Sequence, residues 1–477
     1  MTVTRLRPAV VCAALLDALD ASEGRRRRRK RDTTPDAIGM SLKRQLLAQS
    51  IEPDPDPDAF EAWLLERCLT APADASMGAL RAMAREVLAE WQFAAASADF
   101  REWLAAGAPS EDRGPALHVT PAPRPSSQDL DGRSRTPMEQ KRIEGTGLVS
   151  SRIALGTWSI GGWMWGGSDE GEAIKTIRTA LDLGITLIDT APAYGFGRSE
   201  ELVGRAIAEH GQRERVLIAT KVGLEWRAGQ VSRNASAERI RAEVEDSLRR
   251  LRTDYIDIYQ VHWPDPLVAL GETAAALRQL FEQGTIRAIG VSNFSPEEME
   301  LFRAVAPLHI VQPPYNLFER EIEKDVLPYA EQHGLTVLAY GALCRGLLSG
   351  RMRSDTRFTG DDLRLTDPKF QPRRYGQYLD AVTALDRLAR ERYGKNVLAL
   401  AVRWILDQGP TIALWGARRP DQLSPIEDVL GWSLDDDARA AIDRILAKTI
   451  TDPVGPEFMA PPAREESTPA AGGSSSA

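Results

Sequence analysis

The sequence predicts an α/β protein whose larger part is a (β/α)8 TIM barrel, preceded by a small all-α N-terminal unit. Three observations carry this: eight short, apolar, β-branched segments recur from Ser151 onward, amphipathic segments with helix start and stop residues separate them, and the composition shifts abruptly near Ala108. Short apolar runs without alternation fit parallel strands buried on both faces. Successive strand-then-helix units, each needing a right-handed crossover, close most economically into a barrel. A doubly wound dinucleotide fold is the alternative, but no G-x-G-x-x-G follows a strand, and Gly195-Phe196-Gly197 lacks the third glycine.

In chain order the predicted strands are IALGTW from Ile153, ITLIDTA from Ile185, VLIATKVG from Val216, YIDIYQVHW from Tyr255, AIGVSNF from Ala288, IVQPPYNL from Ile310, TVLAYGAL from Thr336 and TIALWGA from Thr411. Between them, Ser295-Pro296-Glu297-Glu298 combines an N-cap, a proline at the first helical position and a capping-box glutamate. Ile240, Val244, Leu248 and Leu251 form one apolar stripe, and Gly184, Gly284, Gly334 and Gly409 stand where helices should stop. Upstream, residues 1–107 read as helices over 42–51, 58–69 and 77–91, with Pro53, Pro55 and Pro57 at the first junction. Residues 108–140 are a Pro/Ser-rich linker, 141–455 the barrel, and 456–477 a tail expected to be disordered for want of apolar residues to offset ordering entropy.

Charge and composition narrow the function. A net charge of −8 over 477 residues excludes a surface built throughout to coat nucleic acid or anionic lipid. The run RRRRRKR at 25–31 is the exception; a phosphate backbone could take it, but Asp54, Asp56, Asp58 and Glu61 dilute its field, so a solvated run is the preferred reading and no nucleic-acid partner is expected. No apolar stretch approaches the roughly 20 residues that span a bilayer, so no membrane role is expected. Residues 8–16 read as an amphipathic helix rather than a secretory signal, because Asp17 and Asp20 follow before any cleavage site. Cys12, Cys68 and Cys344 form no C-x-x-C pair, and the five histidines form no H-E-x-x-H, which points to a reducing, cytoplasmic setting and to no metal.

In a barrel, chemistry sits at the C-terminal ends of the strands. Polar residues there are Asp189 after strand two, Tyr194 in the loop beyond it, Lys221 at the end of strand three and His262 at the end of strand four. Each lies beside apolar chain, where an unpaired charge is costly, so they should find one another. An ammonium about 4 Å from a phenol favours the phenolate by up to about 4 kcal/mol, so Lys221 is expected to lower the Tyr194 pKa. Asp189 would keep Lys221 charged, and His262 would orient a substrate oxygen or relay a proton. Such a set is a proton donor for a carbonyl receiving a hydride.

The ordered motifs LGTW, LIDTAPAYGFGRSEELVG, IATKVG, IDIYQVHW, IRAIGVSNFS, VQPPYNLFER, LAYGALCRGLLSG and WGARRPDQL resemble the aldo-keto reductase superfamily over about 143–446, most closely the branch of bacterial general stress proteins and potassium-channel β subunits. The resemblance implies Tyr194 as general acid, Asp189 and Lys221 as its tuning pair, His262 as the substrate-orienting residue, and NADPH (NADP when oxidised) across the barrel mouth. It places Gly156, Thr157 and Trp158 in the cofactor set, Ser292, Asn293 and Gln312 on the carboxamide, and Tyr340 against the nicotinamide ring. Gly341, Leu343, Arg345 and Gly346 match the segment over the pyrophosphate, with Arg345 suited to diphosphate. Gly416, Ala417, Arg418 and Gln422 match the adenosine 2′-phosphate loop. Here the chain departs from the family pattern: Gly416-Ala417 replaces Lys-Ser, Gln422 replaces Arg and Ile426 replaces an adenine-contacting Asn, so phosphate selection falls on Arg418 with Arg419 beside it.

Trp158, Trp163, Trp165, Trp226 and Trp263 follow strand ends on the same side and suggest an apolar or aromatic carbonyl pocket. The expected function is NADPH-dependent reduction of aldehydes or ketones to alcohols; the alternative is an NADPH-occupancy sensor or regulatory subunit with weak or no turnover, acting on a protein partner through the N-terminal unit.

Overall fold

The computed structural model describes residues 136–227 and 229–464. The expected helical unit at 1–107 with its basic run, the linker up to 135 and the tail from 465 onward lie outside the described residues.

An antiparallel hairpin of β1 (Gln140–Arg142) and β2 (Val149–Ser151) precedes the barrel. Eight parallel strands then close on themselves: β3 (Ile153–Gly156), β4 (Leu187–Asp189), β5 (Leu217–Val222), β8 (Ile258–Val261), β9 (Ile289–Ser292), β10 (Ile310–Gln312), β11 (Thr336–Ala339) and β12 (Thr411–Gly416), which pairs back onto β3. Each falls within one of the eight predicted segments. A second hairpin, β6 (Leu224–Arg227) with β7 (Gln230–Arg233), rises from the end of β5. Neither hairpin was legible, because β1 and β2 are three residues each and β6 to β7 carry mostly polar side chains.

Inside the barrel Ala154, Leu187, Leu217, Ile258, Ile310, Leu338 and Ile412 pack as one cluster with Ile143 and Leu148 of the first hairpin. That hairpin therefore plugs the barrel interior. The outer layer buries the apolar stripes of α1 (Trp158–Gly161), α2 (Glu170–Asp182), α3 (Arg198–His210), α4 (Ala237–Leu251), α5 (Leu270–Glu282), α6 (Pro296–Arg303), α7 (Val326–Gln332), α8 (Pro372–Tyr393), α9 (Val397–Leu406) and α10 (Asp436–Thr449). The predicted capping box is present: Glu298 N donates to Ser295 Oγ, and Ser295 N donates to the Glu298 carboxylate at 2.8 Å.

The chain stays ordered past the expected boundary at 455. Arg233 donates to the carbonyls of Pro461 and Pro462 at 2.8 and 3.0 Å, and Arg464 donates to Asp265 Oδ2 at 2.9 Å. Composition counts apolar atoms only, whereas residues 456–464 are held by backbone carbonyls and charge.

One buried charge cluster outside the barrel carries a stability prediction. Glu243 on α4 is 1 % exposed, accepts from Arg239 at 2.9 Å, and lies near Arg250 and Glu200; burial pushes its carboxyl up to about 7 from 4.5. The folded state thus holds this proton more tightly than the unfolded chain. Below pH 4.5 both states are protonated and nothing is lost; as pH rises toward 7 the unfolded chain releases the proton first, and the contribution of about 3 kcal/mol disappears. Glu243→Gln should therefore flatten the loss of stability across that window, measured by chemical denaturation at pH 5 and pH 8. An unchanged pH slope would show that Glu243 titrates normally.

Candidate active site

The strand register brings the polar side chains to one level. Asp189 ends β4 beside Ala219 of β5, and Lys221 of β5 stands opposite Gln260 of β8. Lys221 Nζ donates to Asp189 Oδ1 at 2.7 Å, to the Thr190 carbonyl at 3.0 Å and to Tyr194 Oη at 3.2 Å. The lysine and aspartate side chains are 1 % and 3 % exposed, so the pair is a buried one and its remaining lone pairs need partners. They have them: Asp189 Oδ2 accepts from Gln312 Nε2 at 2.8 Å and from Gln260 Nε2 at 3.4 Å.

Tyr194 is held by a loop with three successive left-handed residues, Gly195, Phe196 and Gly197. Ser199, at the start of α3, links Thr157 and Thr190 through hydroxyl contacts of 2.8 and 2.9 Å, which ties this loop to the ends of β3 and β4. The Tyr194 ring stacks on Trp158 at 6.0 Å and meets the His262 ring edge-on at 5.9 Å. All four expected residues, Asp189, Tyr194, Lys221 and His262, are thereby brought together.

Their electrostatics differ from the expectation in one respect. Burial, with Asp189 adding to it, holds the Tyr194 hydroxyl well above its ordinary value of 10. Desolvation outweighs the nearby ammonium, so the phenol stays protonated and is available as a donor. Burial likewise lowers the Lys221 pKa against the pull of Asp189, and burial with repulsion from Lys221 pushes His262 well below 6.5. His262 is a neutral imidazole here, able to donate or accept a hydrogen bond but carrying no charge at neutral pH.

Two cavities meet at this cluster. One, of about 410 Å³, is lined by Gly156, Thr157, Trp158, Tyr340, Gly341, Leu343, Arg345, Gly346, Gly416, Ala417, Arg418 and Gln422, and by Asp189 and Tyr194. The other, of about 290 Å³, is lined by His262, Ser292, Asn293 and Gln312 together with Trp158, Trp163, Met164, Leu224, Val231, Trp263, Met459 and Pro461. Tyr194, Trp158, Tyr340 and Met459 line both.

A hydrogen-bonded set lines the smaller cavity. Ser292 Oγ donates to the Gln312 carbonyl at 2.7 Å, Asn293 Nδ2 to the His262 carbonyl at 3.0 Å, and Tyr340 Oη to Asn293 Oδ1 at 2.8 Å. Asn293 itself sits at φ 62°, a conformation that asparagine tolerates better than most residues. Gln312 has spent its amide nitrogen on Asp189 and Gln260, so its oxygen is what remains for a ligand.

The larger cavity suits a phosphorylated dinucleotide. Arg351, Arg364, Arg418 and Arg419 line it, and Gln422 shapes the loop by accepting from the backbone nitrogens of Arg418 and Arg419 at 2.9 and 3.2 Å. The indole nitrogen of Trp165, another lining residue, is buried with no hydrogen-bond partner among the described residues, and so offers a donor to an acceptor-rich ligand. Arg418 donates to the Trp165 carbonyl at 2.8 Å, a neutral hydrogen-bond partner. Arg345 departs from its expected role. Its guanidinium is bound to Glu319 and Asp367, each at 2.5 Å, so only its backbone is left for a diphosphate. Ile426 is buried in the outer core at 1 % exposure and has no place in a ligand contact.

Besides Arg345, the structure departs from the sequence reading at Gln260, Trp165 and Trp226, and it adds Met164, Leu224, Val231, Met459 and Pro461 to the smaller cavity. Gln260 is penultimate in β8 as Lys221 is in β5 and stands at the same level, but as an uncharged side chain it gives no comparable signal in the sequence. Trp165 borders the dinucleotide-sized cavity instead of the apolar one, and Trp226 packs on Phe196 at 5.7 Å and lines neither.

A family model described as "Aldo/keto reductase family" matches residues 152–447. The chain belongs to this family. It is 62 % identical over 330 residues to "Aldo-keto reductase YhdN" of Bacillus subtilis (strain 168), covering 69 % of this chain and all of that protein. It is 37 % identical over 321 residues to "NADH-specific methylglyoxal reductase" of Escherichia coli (strain K12), covering 64 % of this chain and 97 % of the relative. Among solved structures, the glycerol dehydrogenase AKR11B4 from Gluconobacter oxydans superposes with a TM-score of 0.62 at 57 % identity, covering 67 % of this chain and 99 % of that one. The protein is thus an aldo-keto reductase, an oxidoreductase dependent on a nicotinamide cofactor.

Proposed function

We propose that this aldo-keto reductase reduces apolar aldehydes or ketones with NADPH, Tyr194 giving the proton. The observation that carries the reading is the place of Tyr194: its side chain lines both cavities, and its hydroxyl lies 3.2 Å from Lys221 Nζ. The larger cavity would hold the phosphorylated part of the dinucleotide, with Arg418 on the 2′-phosphate, and the nicotinamide would reach past Tyr340 to the edge of the smaller cavity, where Ser292, Asn293 and Gln312 Oε1 would face the carboxamide. When bound, the dihydronicotinamide supplies a hydride to the carbonyl carbon. Tyr194 Oη and the neutral His262 hydrogen-bond the carbonyl oxygen, and the phenol proton passes to that oxygen as the alcohol forms. Lys221, kept in place by Asp189, stabilises the phenolate that remains until water reprotonates it.

The apolar reading of the substrate rests on Trp158, Trp163, Met164, Leu224, Val231, Trp263, Met459 and Pro461 around the smaller cavity. Outside the proton-donating and carboxamide-facing groups, that lining provides no charge to hold a carboxylate or phosphate. Methylglyoxal and glycerol, the compounds named for two relatives, are smaller and more polar than this cavity favours.

Turnover of a panel of aldehydes and ketones with NADPH and with NADH tests the function. Measurable NADPH oxidation with aromatic or long-chain aldehydes is the expected result; nucleotide binding without turnover of any panel member would favour the sensor reading instead. Nucleotide choice has its own test. Arg418→Ala should weaken NADPH binding by roughly ten- to a hundredfold, the worth of a charge-assisted hydrogen bond, while changing NADH binding little. Equal losses for the two nucleotides would remove Arg418 from the 2′-phosphate.

A further inference from the structure

Behind the larger cavity lies a group of four charges that the chemistry above does not use. Glu319 and Arg345 are 2 % and 3 % exposed in their side chains, and Asp367 and Lys369 not at all. Glu319 Oε1 accepts from Arg345 at 2.5 Å and from Lys369 Nζ at 2.9 Å, while Asp367 Oδ2 accepts from Arg345 Nε at 2.5 Å. Two positive and two negative groups make the set neutral, and their alternation satisfies each of them. A buried ion set of this kind is a costly way to fill space, which apolar side chains would do as well.

What the four residues join explains their presence. Arg345 and Cys344 sit at φ 53° and 45°, two successive non-glycine residues in the left-handed region, in the segment that lines the larger cavity. Such backbone persists only where its surroundings over-determine it, and the double clamp of Glu319 and Asp367 on the Arg345 guanidinium does that. Glu319 also accepts from Asn316 Nδ2 at 2.7 Å, and the same nitrogen holds the Gly341 carbonyl at 3.0 Å, so both ends of the segment are fixed. On the other side, Lys369 Nζ donates to the Gly455 carbonyl at 3.1 Å. Gly455 opens the C-terminal stretch that brings Met459 into both cavities and Pro461 into the smaller one.

We propose that Glu319, Arg345, Asp367 and Lys369 are positioning residues that set the Gly341–Gly346 backbone for the cofactor diphosphate and fix the C-terminal wall of the substrate cavity, so that the two sites are shaped by one buried unit. This rests on the reading of the larger cavity as the cofactor site.

The double variant Glu319→Gln with Lys369→Met tests it in the full-length chain. It removes one charge of each sign, keeps the cluster neutral and leaves a hydrogen-bond acceptor for Arg345, but it takes away the bond to Gly455. If the four charges only balance one another, the double variant should match the wild type in thermal melting, in NADPH dissociation constant and in carbonyl KM. If they position the two walls, it should melt close to the wild type yet show NADPH Kd and carbonyl KM both raised by about tenfold, with kcat within about threefold, as a displacement below 1 Å would produce. Lys369→Met alone leaves an uncompensated negative charge and should melt lower; Asp367→Asn, nearly isosteric, should raise NADPH Kd while moving carbonyl KM less. Wild-type Kd and KM in a folded double variant overturn the inference, as does a raised KM with an unchanged Kd. A wild type that binds no nicotinamide nucleotide overturns the cofactor reading and this inference together, whereas a wild type that binds NADPH while the variants match it overturns this inference alone.

Discussion

Replacing Tyr194 by phenylalanine should lower kcat for carbonyl reduction by about a thousandfold while NADPH binding changes by less than about threefold. The substitution keeps the ring that stacks on Trp158 and meets His262, and removes only the hydroxyl that Lys221 approaches at 3.2 Å. The groups that could replace it are poor ones. His262 is held neutral by burial and by Lys221, and it has no proton to give at neutral pH beyond that of its neutral ring. Lys221 has its ammonium directed to Asp189 and the Thr190 carbonyl, and giving up its proton would leave Asp189 as a buried charge without a cationic partner. Single-turnover measurements with NADPH would separate binding from the chemical step. A kcat within tenfold of the wild type would show that another group, or water, supplies the proton.

The same cluster shows how far a sequence carries and where it stops. The eight strands were legible because a strand buried on both faces is a short, nearly unbroken apolar run, and the tetrad was legible because a polar residue at the end of such a run is expensive unless it has a task. Gln260 has the same neighbourhood, but it is uncharged and its role depends on register: it pairs with Lys221 across β5 and β8 and thereby reaches Asp189. Arg345 shows the opposite failure. A cationic residue in the loop expected to cover a diphosphate looks like an anion ligand until its partners are known, and Glu319 and Asp367 are 26 and 22 residues away in the chain. The direction of the Tyr194 shift was out of reach for a related reason. Pairwise attraction to Lys221 can be reasoned from residue types, whereas the depth of burial that outweighs it is a property of the whole packed mouth.

A methyl group at Gly195 should be the most damaging small change near the site that leaves every polar group in place. Gly195 adopts φ +68°, and a Cβ there would lie 2.2 Å from the Gly161 carbonyl oxygen and 2.9 Å from its carbon. Both are backbone atoms at the end of α1, so no side chain can swing aside. The contact is reciprocal: a Cβ on Gly161 would meet the carbonyl of Tyr194 at 2.6 Å. The loop that presents the phenol and the β3–α1 connection with its short helix carrying Trp158 thus approach backbone to backbone, and only glycine on both sides allows it. In Gly195→Ala the left-handed backbone costs about 1–2 kcal/mol, and relief of the clash must separate the two segments by about 1 Å. That displacement acts on Tyr194 directly, since Ser199 N donates to the Tyr194 carbonyl and its hydroxyl must still meet Lys221. The expected result is a fall in kcat of about a hundredfold with a lowered melting temperature. Gly211→Ala is the matching control, because Gly211 has φ +73° but nothing within 4 Å of a Cβ; it pays the conformational cost and should keep its kcat. If Gly195→Ala loses no more activity than Gly211→Ala, the close approach of the two segments does not set the position of the phenol.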